Sequence, residues 1–218
     1  MDLVRGLERG QTAALLISEC QNAMTNSATA HGPPPQTFDV GYHANQRGII
    51  PKIDAMADVF RSFGLPVAFC TISALPDFRG FKVNCSLAAA VKRRGVLIKG
   101  SWEAAIDDRL PVHATDLLSD RMHGMAPFTG SDLDALLRGF GVETVVLSGI
   151  STNIALPGAA TEAVALGYNV VLAEDCTAGG TEESHEAQIR LHLPLLATIS
   201  NSGAIADSLR ASQRAALV

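Results

Sequence analysis

The chain has 218 residues, of which 47% are hydrophobic and 18% are charged, a composition typical of a globular protein with a buried core. The formal net charge of −5 gives no indication of binding to nucleic acid or to an anionic membrane, which depends on a basic surface. No apolar run approaches the roughly 20 residues that span a bilayer, and the charged N-terminal residues disfavour an export signal. We therefore expect a single domain, residues 1–218, in the cytoplasm, with a small molecule as its partner and neither nucleic acid nor membrane.

Short apolar runs rich in β-branched residues alternate with segments of helical period, which is the pattern of a parallel sheet covered by helices. The predicted strands, in chain order, are Ala13–Ser18, Pro66–Ile72, Thr115–Ser119, Glu143–Ser148, Asn169–Ala173 and Ala197–Ser200. Several of these runs are almost continuously apolar, as expected for strands that are covered on both faces. Right-handed connections then predict a three-layer α/β/α fold with a doubly wound, six-stranded parallel sheet.

Four helices are predicted between these strands. The first follows from apolar residues that fall on one stripe between Ile49 and Phe60, with Pro51 tolerated in its first turn. The second is predicted to have Ser131 as its N-cap and to end near Gly139. The last two predicted helices are Ala159–Leu166 and Glu183–Leu193.

The segment Met24–Gln46 interrupts this alternation, because it is too long for an ordinary connection between a strand and a helix. It contains a run of three prolines and several Gly, Thr and Asn residues. A disordered surface excursion is one interpretation. We favour a lid or a subunit contact, because the segment directly follows the C-terminal end of the first predicted strand.

Polar residues follow three of the predicted strands. Ligands of open α/β sheets bind outside the C-terminal ends of the strands, near the point where the strand order reverses. The three segments are Glu19-Cys20-Gln21-Asn22, Arg121-Met122-His123 and Gly149-Ile150-Ser151-Thr152-Asn153.

These segments and their neighbours resemble a known family, the isochorismatase-like hydrolases. The segment at residues 19–22 resembles the family's D-x-Q-N-D opening, and APFTGSDL at 126–133 resembles its S-A-F-x-G-T-x-L. GVETVVLSGISTNIALPGAATEA at 141–163 resembles G-[ID]-T-L-V-L-x-G-x-x-T-N-x-C-V-x-x-T-A-x-D-A, and GYNV at 167–170 with EDC at 174–176 follows as G-Y-x-V and x-D-A. The match covers nearly the whole chain in the same order. It implies the isochorismatase-like, Rossmann-like fold with strand order 3-2-1-4-5-6, and self-association into a dimer or tetramer.

The resemblance also implies three catalytic positions, and the chain departs from the family pattern at each of them. Most members use an Asp base, a Lys and a Cys nucleophile, where this chain has Glu19, Arg121 and Ala155. Glu19 keeps a carboxylate that can act as general acid or base. Arg121 cannot exchange protons at neutral pH, but its guanidinium can bind a carboxylate or an oxyanion. A gap of one residue would place Met122 rather than Arg121 at the Lys position.

Two nearby residues are weaker alternatives for the Arg121 role. Lys99 falls on a connection upstream of the relevant strand end, where a solvated side chain is expected. His123 is the second alternative, because histidine is a common acid or base in catalysis, although a single His in a loop is more often solvated or structural than catalytic.

Alanine at position 155 excludes covalent catalysis from this position. Ala155 is either a natural residue, as in family isochorismatases that carry a small residue there, or an engineered replacement of Cys; the divergence of its neighbours favours the first. A relocated nucleophile at Cys20, Cys70 or Cys176 is a further alternative, since each lies near a strand end.

The backbone of the turn at 151–155 keeps a second possible role. It leads into a helix N-terminus, where free N–H groups and the helix dipole favour an anion. By resemblance, its amides form an oxyanion hole beside a cis peptide bond. We predict that Ser151, Thr152 and Asn153 bind substrate, together with Gln21 and His123 from the other two strand ends.

No metal or cofactor is predicted. Nicotinamidase-type relatives carry an Asp-x-His-x-x-His cluster after the second strand, and residues 71–77 of this chain contain no histidine.

Two functional hypotheses follow, and composition does not separate them. In the first, the chain is a hydrolase or a lyase-like enzyme for a small, anionic metabolite. Glu19 acts there as acid or base, Arg121 binds the anionic group, and the turn stabilises the developing charge. Isochorismatases are the precedent, since they protonate a vinyl ether without a Cys. In the second, the chain is a family member that has lost catalysis and acts as a binding or structural protein.

Overall fold

The computed structural model describes residues 3–8 and 11–216, with side chains up to residue 212. Six strands form one sheet in which all neighbouring strands are parallel. They are β1 (Ala13–Ser18), β2 (Val67–Ile72), β3 (Leu117–Arg121), β4 (Thr144–Ile150), β5 (Asn169–Ala178) and β6 (Thr198–Ser200). The strand order is β3-β2-β1-β4-β5-β6, which confirms the predicted fold class and topology.

Helices connect successive strands and cover both faces of the sheet. They are α1 (Asn22–Thr25), α2 (Val40–Arg47), α3 (Ile49–Ser62), α4 (Ser86–Arg94), α5 (Leu133–Gly139), α6 (Ala155–Ala165), α7 (Glu182–Ala187) and α8 (Ser202–Ala216). Within the described ranges, no helix combines the length and the apolarity needed to cross a membrane.

Strand β1 shows why the sequence forms a sheet with two covered faces. All six of its residues are buried, and successive side chains of a strand point to opposite faces. Leu15 and Ile17 lie in the core on the side of α3 and α8, whereas Ala14 and Leu16 lie in the core on the side of α5 and α6. The continuous apolar run therefore supplies both cores at once.

The third strand is shifted by two residues from its prediction, since it spans Leu117–Arg121 rather than Thr115–Ser119, and the fifth strand extends to Ala178 rather than Ala173. It is an edge strand that pairs with β2 alone, in a register that joins Ala68 to Leu117 and Ile72 to Arg121. Asp116 accepts a hydrogen bond from the backbone N–H of His113 (2.8 Å), which closes a turn just before the strand. The shift matters for function, because it makes Arg121 the last residue of the strand.

Two predicted helices also have different bounds. Helix α6 begins at Ala155, four residues before the predicted start, because Pro157 is tolerated in a first turn. Helix α7 ends at Ala187, and the predicted remainder forms a wider turn at Gln188–His192 and a tight turn at Leu193–Leu195, which contains Pro194. The N-cap of α5 is Asp132 rather than Ser131, although the Ser131 hydroxyl accepts a hydrogen bond from Leu133 N–H (3.2 Å).

The segment Met24–Gln46 is folded against the rest of the chain and includes most of α2. The Asn45 side-chain amide donates to the carbonyl oxygens of Thr25, Ala30 and Gly41 at 3.0–3.1 Å, which ties the two ends of the segment together. Ala30 is buried, and Gly41 has no room for a side chain, since a Cβ there would lie 2.1 Å from Met24 O.

Candidate active site

The C-terminal ends of β1 and β4 lie side by side, at the point where the strand order reverses. Ser18 of β1 is paired with Gly149 of β4, so that Glu19 and Ser151 follow neighbouring strand ends. Close approach requires glycine at 149, because a Cβ there would lie 2.2 Å from Ser18 O and the residue has φ +90°. The predicted first and third site segments therefore meet at one edge of the sheet.

Glu19 is held at this edge by a left-handed backbone conformation, with φ 51°. Its N–H donates to Cys70 O of β2 (2.9 Å), and its carbonyl oxygen accepts from Gln21 N–H (2.8 Å). A non-glycine residue with positive φ costs of order 1–3 kcal/mol, and such residues concentrate at functional sites. The conformation turns the chain sharply out of β1 at the position of the carboxylate.

Arg121 forms an ion pair with Glu19 at the end of β3. Its guanidinium Nη2 contacts Glu19 Oε1, and its Nη1 donates to Thr71 O (3.4 Å). The Arg121 side chain is 1% exposed and the Glu19 side chain 14%, so Arg121 is buried and Glu19 is largely buried. Burial raises the pKa of the Glu19 carboxyl above its ordinary value, and the charge and hydrogen bond of Arg121 oppose that rise.

The turn between β4 and α6 lies across from Glu19. It begins with a cis peptide bond between Ile150 and Ser151. Ser151 O accepts hydrogen bonds from the N–H groups of Ile154 (3.2 Å) and Leu156 (3.0 Å). Among the described residues, the N–H groups of Ser151 and Ala155 have no hydrogen-bond acceptor, so both can donate to a ligand.

A pocket of about 110 Å³ lies between these elements. Glu19, Ser151 and Ala155 line it, and Glu19 is the one titratable side chain among its described lining residues. The other walls are mostly apolar and come from the loop before α2, from α4 and from the segment after β3, among others. These residues are Met24, Phe38, Val40, Ile72, Phe81, Leu87, Ala88, Val91, Leu97, Gly124, Met125, Ile150 and Ile154.

Gln21, Thr152 and Asn153, three of the predicted substrate-binding residues, bind the protein itself. The Gln21 amide is fully buried, donates to Ile72 O (3.0 Å) and Ala104 O (2.6 Å), and accepts from Ile72 N–H (3.0 Å). Thr152 Oγ1 lies 3.2 Å from Nδ1 of the buried His185, and Asn153 Oδ1 accepts from Gly180 N–H (2.6 Å). Their side chains fix the pocket walls and do not line the pocket.

The other three residues considered for the Arg121 role, Met122, His123 and Lys99, do not line the pocket either. His123 is exposed and does not line it. Lys99 lies near Asp120 (Nζ to Oδ2, 3.6 Å) on the exposed side of β3.

The cysteines offer no relocated nucleophile at the pocket, since none of the four lines it. Cys20, Cys70 and Cys176 are buried, and burial raises the pKa of each thiol, to about 12 for Cys70. Cys85 is exposed and caps α4, where its Sγ accepts from Ala88 N–H (3.5 Å). Within the described ranges, no group of three His, Cys, Asp or Glu side chains is placed to hold a metal ion.

Comparison with known proteins agrees with this architecture. The isochorismatase domain matches residues 13–203 of the chain. The chain belongs to the isochorismatase family. It is 39% identical over 205 residues to the uncharacterised isochorismatase family protein YecD of Escherichia coli O157:H7, a match that covers 91% of the chain and 97% of YecD.

Two further relatives cover most of the chain. The ureidoacrylate amidohydrolase RutB of Pantoea ananatis is 30% identical over 192 residues, 82% of the chain and 74% of RutB. The structure of an isochorismatase family protein from Burkholderia thailandensis superimposes with a TM-score of 0.74 at 26% identity, over 93% of the chain and 98% of that protein.

Sequence reasoning missed Phe38 and Gly180 in this isochorismatase family site. The Phe38 ring lies against the backbone of Gly180, and Asp39 N–H donates to Gly180 O (2.9 Å). A large aromatic residue just before the N-cap of α2, in a segment otherwise rich in small and polar residues, was the available signal. No local pattern indicates its contact with Gly180, because 142 residues separate the two positions.

Proposed function

We propose that this isochorismatase family protein is a hydrolase of a small, amide-like metabolite, in which Glu19 supplies general acid–base catalysis and position 155 supplies no nucleophile. One observation carries the proposal. The carboxylate of Glu19 is the one titratable group among the described residues of the pocket, and it shares that pocket with the turn at Ser151 and Ala155. The likeness to RutB, named as an amidohydrolase, supports cleavage of a C–N bond.

The reaction then needs one proton carrier and no covalent intermediate. Glu19 takes a proton from a water molecule as the water oxygen attacks the carbonyl carbon of the substrate. The N–H groups of Ser151 and Ala155 bind the oxyanion that forms. The Glu19 carboxyl then returns the proton to the leaving nitrogen as the C–N bond breaks, which releases an acid and an amine or ammonia.

In this mechanism Arg121 is a positioning residue for Glu19. Its side chain is 1% exposed and its guanidinium contacts the carboxylate, so it does not face the pocket as an anion-binding group would. The ion pair fixes the orientation of the carboxylate. The raised pKa of Glu19 favours uptake of the proton from water, since a carboxylate with a pKa nearer to neutrality is a stronger base and is better matched to acid–base catalysis at neutral pH.

The test begins with a panel of small amides, ureido compounds and vinyl ethers, with products detected by mass spectrometry. For the compound that is turned over, Glu19→Gln keeps size and hydrogen bonding but cannot transfer a proton, so kcat/KM should fall by roughly 10²–10⁴-fold. Glu186→Gln, at an exposed position of α7, is the matched control and should leave kcat/KM unchanged.

Three results would contradict the proposal, wholly or in part. Full activity in Glu19→Gln would remove the acid–base group. Tight binding of a panel member without any turnover would favour the second hypothesis, a binding protein of this family. Turnover of a vinyl ether but of no amide would keep the role of Glu19 as an acid and overturn the assignment of the substrate.

A further inference from the structure

The walls of the pocket are mostly apolar, which the proposed reaction does not require. Apart from Glu19 and Ser151, the lining side chains are apolar, and they surround about 110 Å³. No Lys, Arg or His stands among the described lining residues. The lining thus offers an apolar surface to the part of a ligand that lies beyond the reacting group.

We infer that the pocket selects ligands with an uncharged, apolar body, and that Phe38 is the residue that sets this specificity. The inference rests on the proposed function for the identity of the reacting group, an amide, but not for the selection itself. An anionic body would be desolvated among apolar side chains and would lie near the Glu19 carboxylate without a free cation. Arg121 does not supply that cation, because Glu19 already occupies it.

Phe38 is suited to this role by its position. It lines the pocket, and its side chain is 54% exposed, so it lies at the mouth where a ligand would cover it. The segment before α2 brings it to the pocket, which Phe81 and Leu97 of a separate small hydrophobic cluster also line.

Gly180 sets the position of the Phe38 ring. A Cβ at position 180 would lie 1.9 Å from Phe38 Cε2 and 2.2 Å from Cδ2, so only glycine allows the ring to lie there. Gly180 also links both sides of the pocket, since its N–H donates to Asn153 Oδ1 (2.6 Å) and its carbonyl oxygen accepts from Asp39 N–H (2.9 Å). The ring is therefore placed relative to the turn at 151–155.

The first experiment compares two probes that differ at one end, valeramide and glutaramate. Both are five-carbon amides, and a carboxylate in glutaramate replaces the methyl group of valeramide. Titration calorimetry with the full chain at neutral pH should show valeramide binding at least about tenfold more tightly than glutaramate. Going from acetamide to valeramide should strengthen binding by up to about fourfold for each added methylene. Equal or tighter binding of glutaramate would overturn the inference.

The second experiment uses variants at the contact between Phe38 and Gly180. Phe38→Ala should weaken valeramide binding by about two- to tenfold and leave acetamide binding within about twofold. Gly180→Ala should have the same effect by displacing the ring, and the double variant should be no worse than Phe38→Ala alone. Leu195→Ala, which removes an apolar side chain that is 81% exposed outside the pocket, is the matched control and should change neither affinity.

Other patterns would refute either the role of Phe38 or the placement of its ring by Gly180. If Phe38→Ala binds valeramide like the wild type, Phe38 does not set specificity. If Gly180→Ala and Phe38→Ala have additive effects, Gly180 does not act through the ring. Phe38→Leu, which keeps an apolar side chain, should restore most of the valeramide affinity, and a folded Phe38→Leu protein without that recovery would also count against the role.

The two proposals can fail separately. Selective binding of valeramide without turnover of any amide would support the proposed selectivity of the pocket and refute the proposed hydrolase activity. Turnover of amides with no preference for an apolar body, and with no effect of Phe38→Ala, would support the hydrolase activity and refute the selectivity.

Discussion

Replacing Arg121 by methionine should show how much its ion pair with Glu19 contributes to the free energy of unfolding. Methionine keeps an apolar stem of similar length, so the change removes mainly the charge and its hydrogen bonds. Glu19, whose side chain is 14% exposed, would then be a buried carboxylate without its cation. Removing one partner of a buried pair costs about 3–5 kcal/mol.

The loss in the free energy of unfolding should depend on pH, because a Glu19 side chain that takes up a proton is no longer a buried, unpaired charge. Protonating a carboxylate costs 1.36 kcal/mol for each pH unit above its ordinary pKa. Protonation of Glu19 therefore costs about 5 kcal/mol at pH 8 and about 1 kcal/mol at pH 5. Without Arg121, burial alone acts on Glu19 and its folded-state pKa lies above the unfolded value. The stability of the variant therefore recovers as the pH falls through that raised pKa.

Urea unfolding of the wild type and of Arg121→Met at both pH values would measure this. We expect a loss in the free energy of unfolding of about 3–5 kcal/mol at pH 8 and of about 1–2 kcal/mol at pH 5. The larger loss corresponds to a fall in Tm of roughly 6–20 °C for a chain of this length. Arg210→Met is the control, since its pair with Asp207 is about half exposed on both sides and should be worth less than about 1 kcal/mol. A loss below about 1 kcal/mol at pH 8, or equal losses at the two pH values, would refute the reasoning.

Four further predictions concern other parts of the molecule. Gly149→Ala should cost roughly 2–6 kcal/mol in urea unfolding, because its Cβ would lie 2.2 Å from Ser18 O at a positive φ; a loss under 1 kcal/mol would contradict the close pairing of β1 and β4. Burial lowers the pKa of His185, so its contribution to the free energy of unfolding should be complete above pH 6.5 and should be lost as the pH falls through the lower pKa of the folded state. His185→Gln should remove this pH dependence. Alkylation of the native protein, read by peptide mass, should label Cys85 and spare the three buried cysteines without loss of activity. Light scattering should show a dimer or tetramer, as the family resemblance implies, and a monomer at working concentration would contradict this.

Local sequence patterns determined the architecture. The continuous apolar run of β1, with its residues shared between two cores, already predicts a strand that is covered on both faces. The order of the family motifs predicts the strand order, and Glu-Cys-Gln-Asn after β1 places Glu19 at the carboxyl edge of the sheet. The covered faces of β1 and the position of Glu19 could be predicted because they depend on residues that are adjacent in the chain, whereas the strand order was predicted from the family resemblance.

The tertiary structure alone decided the character of the pocket. From the sequence, Arg121 was expected to face a substrate and the third strand to end at Ser119, but the pairing of the edge strand β3 with β2 brings Arg121 into contact with Glu19. Phe38 likewise reaches the pocket only because Gly180 leaves room for its ring. Each of these contacts joins residues more than 100 positions apart, and its existence depends on sheet register and on space between packed elements. The residues next to Arg121 or Phe38 in the chain determine neither the sheet register nor this space, so no local pattern could have predicted the two contacts.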